Sequence, residues 1–342
     1  MKNKYITTAV IGLFAIGFIS CEKLDMEEQP GTDNISIFNE YHTILKTKYA
    51  MTEDKGINWD EVYAEYSAYI NNSISKDSLS NTLGKMMLLT KDGHTWLSTD
   101  AGQYGYGFDV QNGYQIDLDR KLVETNYLGN TPKKVSDSMQ YTILKQNLAL
   151  VVYRDFMNVI TEEGINQMLT DLKDTKGMIL DVRGNGGGDP EMAGMLAGHF
   201  TNKRVYTGYE SFKTGPGKND FSKSEIYLET GNGVKYLKPI AILTDRGCYS
   251  ATLTLQYLTD PLENIFTVGA RSGGGSGSTS DGQLSNGWIY SLSVSEFIDA
   301  KGRHIDNGIL PDVEAHLNHN DSNKDEIIET AIAELLKREK DS

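Results

Sequence analysis

Apolar positions along the chain fall into two periods. At a spacing of three and four, Ile37, Phe38, Tyr41, Leu45 and Tyr49 share one face of a predicted helix. Trp59, Val62, Tyr63, Tyr66 and Ile70 mark a second, opened by Asn58 as a cap with Glu61 three residues on, and Leu79, Leu83, Met86 and Met87 mark a third over 77–89. Aromatic residues at such spacings are read as helix-packing groups rather than a ligand box. Further on, short apolar runs over 148–153 and 178–182 flank a helix that begins near Thr161 and shows Ile165, Met168, Leu169 and Leu172. That β-α-β order favours a parallel sheet covered by helices. Strands are also expected over 205–209, 240–243, 265–268 and 288–292, and Gly- and Tyr-rich segments over 104–114 read as β-hairpins. An amphipathic helix over 324–337, with Ile327, Ile328, Ala331, Ile332 and Leu335, closes the chain.

The amino terminus has a different pattern. Lys2 and Lys4 precede an apolar run over 9–19, too short for a comfortable membrane span, and Ser20 and Cys21 follow. This resembles a bacterial lipoprotein signal, which implies cleavage before Cys21 and acylation of that cysteine; an ordinary secretory signal or an anchoring helix is the alternative. Glu22, Asp25, Glu27 and Glu28 resemble the acidic tether of surface lipoproteins in Bacteroides-like bacteria. The expected organisation is a signal peptide (1–20), a flexible tether (21–35), an N-terminal helical region (36–92), a core (93–320) and a C-terminal amphipathic helix (321–342).

Composition removes several function classes. The formal charge is −14, from 33 Lys and Arg against 47 Asp and Glu, and no basic patch is visible, which argues against nucleic acid as a partner. Lipid on Cys21 would leave Cys248 without a partner, so no internal disulfide is expected. Cys248 is either a small buried residue or a nucleophile. The histidines show no metal-ligand spacing such as H-E-x-x-H, and no metal or other cofactor is expected.

Two segments carry candidate chemistry. The strand over 240–243 runs into a polar turn, and after Ser250 apolar residues recur at Ala251, Leu255 and Leu258, so Ser250 stands where a strand turns into a helix. A nucleophile uses that geometry, and so does a simple helix cap. The strand over 178–182 runs into Arg183, Gly184, Asn185, Gly186, Gly187 and Gly188 before a helix over 191–199. The loop lacks both the phosphate-loop lysine and the G-x-G-x-x-G pattern, leaving an oxyanion hole or a tight packing turn as its readings.

The segment Leu180 to Gly188 resembles the "L-D-x-R-x-N-x-G-G" motif of the tail-specific (C-terminal processing) serine peptidase family, which includes the tricorn core protease. Asp92-Gly93-His94-Thr95 is similar to its "D-G-H-T" segment, Ser250-Ala251 to its nucleophile segment, Val268-Gly269 and the glycines after Ser272 to "V-G-x-x-T-x-G", and Gly308 to Val313 to "G-I-x-P-D-v". These fall in the family's order. The resemblance implies an α/β core of the ClpP/crotonase-like type with a mixed sheet and flanking helices behind the helical region. It also implies Ser250 as nucleophile, with an oxyanion hole from Gly186 or Gly187 together with the N–H of Ala251. The family's usual dyad lysine falls at Gly275, and no Lys lies between Lys238 and Lys301, so the resemblance points to the His-using branch. His94 then acts as base, or is only a turn residue. Asp306 is the carboxylate nearest the position of the group that orients it, one residue off the expected spacing, or is a surface turn residue. Between His94 and the strand at Leu148 there are only about 50 residues, too few for an inserted PDZ domain.

The expected function is that of a serine endopeptidase hydrolysing envelope or extracellular polypeptides through an acyl-enzyme, held to a membrane through Cys21. A catalytically idle peptide- or ligand-binding lipoprotein of the same fold is the main alternative, and a subunit of a glycan-uptake system a third. The sequence leaves oligomeric state and cleavage specificity open.

Overall fold

The computed structural model describes residues 31–106, 117–320 and 323–341. The signal peptide, Cys21, most of the tether, and the hairpin reading over 107–114 lie outside the described residues. Helices α1 (Asn34–Lys48), α2 (Trp59–Ser67) and α3 (Lys76–Leu88) form where the apolar stripes predict them, and Asn58 caps α2 by accepting from the N–H groups of Asp60 and Glu61. A small antiparallel pair follows, β1 (Trp96–Thr99) and β2 (Gly102–Gly105).

The central sheet is built next. Strands β3 (Lys133–Lys134), β4 (Met139–Ile143) and β5 (Ala149–Tyr153) are antiparallel neighbours, and helix α4 (Glu162–Leu172) crosses to β6 (Met178–Asp181), parallel to β5. After helix α5 (Pro190–Ala197) comes a hairpin, β7 (Val205–Lys213) and β8 (Phe221–Leu228). Strand β9 (Ile240–Thr244) is followed by helix α6 (Ala251–Thr259) and β10 (Ile265–Gly269). Strands β11 (Thr279–Gln283), β12 (Ile289–Ser293), β13 (Ser295–Asp299) and β14 (Val313–Glu314) precede the last helix, α7 (Glu326–Asp341). The main sheet has seven strands in the order β14-β10-β9-β6-β5-β4-β3, parallel from β14 to β5.

Strands β5, β6 and β9 are buried on both faces, as continuous apolar runs in a parallel sheet must be. Alternation sorts their side chains. Val151, Leu180 and Ile242 face α4, α5 and α6, whereas Leu150, Ile179, Ala241 and Leu243 face Ile327, Ile328, Ala331 and Leu335 of α7. The carboxyl ends of β6 and β9 therefore lie side by side and deliver the glycine loop and the Ser250 turn to one edge, the usual place for a site in such a sheet.

Two features were not readable from periodicity. Helices α1 to α3 share a core with Leu97, Tyr290 and Leu292 of the four-stranded sheet β11-β12-β1-β2 and with Leu284 and Trp288 of the turn between β11 and β12, so the chain's beginning packs on a segment near its end. Strand β8 carries Ser222, Lys223, Ser224 and Glu225 in one run, with no apolar alternation; its extended form comes from pairing with β7 in the sheet β13-β7-β8. Among the described residues no helix is long and apolar enough to cross a membrane.

One buried ionic cluster joins the layers. The Arg183 guanidinium is wholly inaccessible; its Nε and Nη2 donate to Asp181 at 2.9 Å, and its Nη1 donates to Asp325 at 2.9 Å and to the Asp117 carbonyl at 3.0 Å. Arg154 adds a second bond to Asp181 at 3.2 Å. Burial works against the Asp181 charge, but Arg154 and Arg183 outweigh it and hold the carboxyl well below the ordinary carboxylate range. Asp325 in turn accepts from the N–H groups of Ile327 and Ile328 at 3.1 and 3.0 Å, so Arg183 fixes the start of α7 to the end of β6. Arg183→Met leaves Asp325 without its counter-charge and Asp181 with Arg154 alone. The expected loss is about 3–5 kcal/mol, read as a lower urea midpoint, and an unchanged midpoint would show the cluster to be energetically idle.

Candidate active site

Strand β9 ends at Thr244, and six residues later the backbone of Ser250 turns through φ 55° and ψ −118°. A non-glycine residue there is strained, by about 1–3 kcal/mol, and survives only where its surroundings over-determine it. Four contacts do so. The Ser250 N–H donates to the Gly274 carbonyl at 3.0 Å and its own carbonyl accepts from Thr254 at 3.0 Å, while Tyr249 N–H donates to Asn185 at 3.1 Å and Gly273 N–H to Cys248 at 2.7 Å. Ser250 occupies the cap position of α6, yet its side chain makes no capping hydrogen bond, so Oγ is not spent on the helix. The capping role weighed for this serine has no bond to support it.

The glycine loop lies against this turn. Asp245 Oδ1 accepts the N–H groups of Gly184 and Gly247 at 2.9 Å each, stitching the loop after β6 to the loop after β9. Burial pushes the Asp245 carboxyl above the usual range, the two N–H donors acting against it. Asn185 is a second clasp: its Nδ2 donates to the Tyr153 carbonyl at 3.0 Å, its Oδ1 accepts from Gly187 N–H at 2.9 Å, and its carbonyl accepts from Thr252 Oγ1 at 2.8 Å. Gly187 has φ +101°, and a Cβ there would lie 2.8 Å from Ser250 Cβ and 2.9 Å from Ala251 N. Only glycine fits both requirements. The loop thus brings Gly187 beside Ser250 and Ala251, its N–H already engaged by Asn185, whereas a Cβ at Gly186 would meet nothing within 4 Å.

His94 reaches the same region through Tyr249. The Asp92 carboxylate shapes the His94 turn, Oδ1 accepting from His94 N–H at 2.9 Å and Oδ2 from Thr95 Oγ1 at 2.8 Å. Burial, with the nearby Asp306 charge adding to it, raises the Asp92 carboxyl above its ordinary range. The His94 ring meets Tyr249 edge-on, centroids 5.1 Å apart, and its Nδ1 is buried with no hydrogen bond among the described residues. Burial, reinforced by Asp92 and Asp306, also drives the Tyr249 phenol far up. The Tyr249 ring occupies the space where a side chain at Gly275 would begin. No side chain, lysine included, fits at 275 while that ring is there.

Asp306 is buried, not a surface turn residue, and its partners are Lys55 Nζ at 2.6 Å and Ser276 N–H at 3.2 Å rather than the His94 imidazole. Lys55 had no signal in any motif. Asp92, Asn185 and Asp245 stood within or next to motifs but declared no role, since each acts through hydrogen bonds to backbone far away in sequence. Cys248 is fully buried, its thiol is pushed up by burial, and its Sγ faces the Val182 carbonyl at 3.1 Å, which fits a small packed residue.

Known proteins resemble this chain in sequence and in fold. Residues 147–315 match the model of peptidase family S41, and residues 30–88 match that of the tricorn protease C1 domain. The crystal structure of a candidate peptidase from Parabacteroides merdae is 32% identical, covers 90% of this chain and 98% of its own, and superposes with a TM-score of 0.83. The photosystem II D1 C-terminal processing protease shares the fold at 16% identity and a TM-score of 0.55, covering 82% of this chain and 92% of its own. A lipoprotein from Streptococcus agalactiae does so at 17% identity and 0.54, covering 92% of this chain and 100% of its own. No curated protein matches the chain. With five motifs in order, the match to the S41 family model, and a relative of this identity over nearly its whole length, the chain belongs to peptidase family S41.

Proposed function

We propose that this protein is a serine endopeptidase in which Ser250 is the nucleophile and His94 the general base, cleaving envelope or extracellular polypeptides through an acyl-enzyme. The observation that carries the reading is the strained Ser250 turn at the head of α6, with Gly187 against its Cβ and its side chain unused by the helix. In the proposed reaction Oγ attacks the scissile carbonyl carbon as His94 accepts the hydroxyl proton. The carbonyl π pair moves to oxygen, which the N–H groups of Gly186 and Ala251 stabilise. Collapse expels the amine, which takes its proton from His94, and water then hydrolyses the ester by the same exchange. Gly187 N–H is the weaker oxyanion candidate, because Asn185 already accepts from it.

Asp306 enters as a positioning group at one remove. Its carbonyl accepts Gly275 N–H at 3.1 Å and its Oδ1 accepts Ser276 N–H, which fixes the strand whose Gly274 carbonyl holds Ser250. Membrane attachment through lipid on Cys21 rests on the N-terminal pattern, and no nucleic-acid partner is proposed for a chain of net charge −14.

An idle relative that binds peptide without cutting it is the second reading, favoured by the unpartnered Nδ1 of His94 and by the pairing of Asp306 with Lys55. A fluorophosphonate probe with mass-spectrometric site mapping separates the two. The active enzyme labels on Ser250, and Ser250→Ala removes the label; a folded wild-type protein that never labels is the idle form. His94→Ala is expected to lower the labelling rate by about 10²–10⁴-fold, and an unchanged rate removes His94 as base. Gly187→Ala, which drives a methyl group into Ser250 and Ala251, should abolish labelling; retained labelling would mean that the loop does not need its present approach to the serine.

A further inference from the structure

We infer that Lys55, supplied by the N-terminal helical region, is a positioning residue for Ser250, acting through its ion pair with Asp306; the inference rests on the nucleophile reading above. The Lys55 side chain is 5% exposed and that of Asp306 6%, with Nζ 2.6 Å from Oδ2, and Nζ also donates to Asn307 Oδ1 at 3.0 Å. From there the connection to the serine is continuous. Asp306 holds Gly275 and Ser276 by two hydrogen bonds, Gly274 precedes them, and the Gly274 carbonyl accepts the N–H of Ser250 at 3.0 Å, the bond that helps keep the serine in its left-handed conformation.

The lysine arrives on a rigid support. It sits in the turn between α1 and α2, where Lys55 N–H donates to Met51 O and Ile57 N–H to Thr52 O, each at 2.9 Å. The Trp59 indole donates to Thr52 Oγ1 at 2.9 Å, and Ala50 N–H anchors the turn to the Ser293 carbonyl at 3.0 Å. A carboxylate this deep, close to the acid of Asp92, needs a counter-charge, and no local residue of the 272–312 segment provides it at Asp306. The helical region is therefore part of the catalytic assembly, completing the seat of the serine from outside the sheet. Lys55 does not act as a dyad base: its ammonium is directed to Asp306 and Asn307, and it reaches Ser250 only through backbone.

The test measures fluorophosphonate labelling at saturating probe, per folded molecule, for wild type, Lys55→Met, and the double variant Lys55→Met/Asp306→Asn, with thermal unfolding and circular dichroism on each. Lys55→Met is expected to lower the maximal labelling rate about 10- to 100-fold with the half-saturating probe concentration unchanged, since a small misplacement of the nucleophile acts on the rate rather than on binding. The double variant removes the stranded charge while the Asn oxygen still accepts from Ser276, so it should label no more slowly than Lys55→Met and at least about threefold more slowly than wild type, the ion pair being gone. If Lys55→Met is too unstable to assay, the double variant alone decides: a folded double variant slower than wild type supports the inference, and one that labels at the wild-type rate overturns it. Equal rates per folded molecule in wild type and Lys55→Met overturn it as well and leave the nucleophile reading standing, because there the loss is one of stability alone. A wild-type protein that does not label sinks the nucleophile reading, and this inference with it.

Discussion

The left-handed backbone of Ser250 is the constraint on which the arrangement of this site depends. Left to itself, a serine would relax to an ordinary cap and turn its hydroxyl onto the amides of α6. Here the chain is held from both sides. On one side Gly187 packs its bare Cα against the serine; on the other the Gly274 carbonyl takes the serine N–H. Strain of about 1–3 kcal/mol is offset by these contacts, and the hydroxyl is left available.

Both holding segments are themselves secured by buried polar groups. Asp245 and Asn185 join the two loops at the carboxyl edge of the sheet, and Arg183 secures the base of the glycine loop to β6 and α7. The opposite side is secured by Asp306 and, behind it, Lys55. Asp181, Asp306 and Asp325 are matched by cations and Asp245 by backbone N–H donors on its Oδ1, as the cost of isolating such a charge requires. The shape of the site is set by polar bonds standing on an apolar sheet, and the sheet alone would not have aimed the loops.

Gly275 and Tyr249 show how packing shapes the site. At the position where the motif resemblance led one to look for a dyad lysine, this chain has no side chain, and the Tyr249 ring fills the space and packs edge-on against His94. On the proposed reading, the use of a histidine rather than a lysine base is in this sense a packing choice as much as a chemical one. A ring beside the serine limits which group can approach it.

The sequence by itself determined the apolar runs of β5, β6 and β9, the stripes of α1 to α4 and α7, and the order of the glycine and serine segments, because burial at fixed periodicity and local backbone chemistry are written in neighbouring residues. It also marked Ser250, Gly187 and His94, through motifs that are contiguous in the chain. The partnership of α1 to α3 with Leu284 and Trp288, the polar strand β8, and the pairing of Asp306 with Lys55 were decided only by the tertiary structure. Those contacts join residues far apart in sequence, and an ion pair or a strand edge carries no periodic trace of its partner. Ser250 shows both halves at once: its address was local, whereas the contacts that hold it come from loops that only folding brings together.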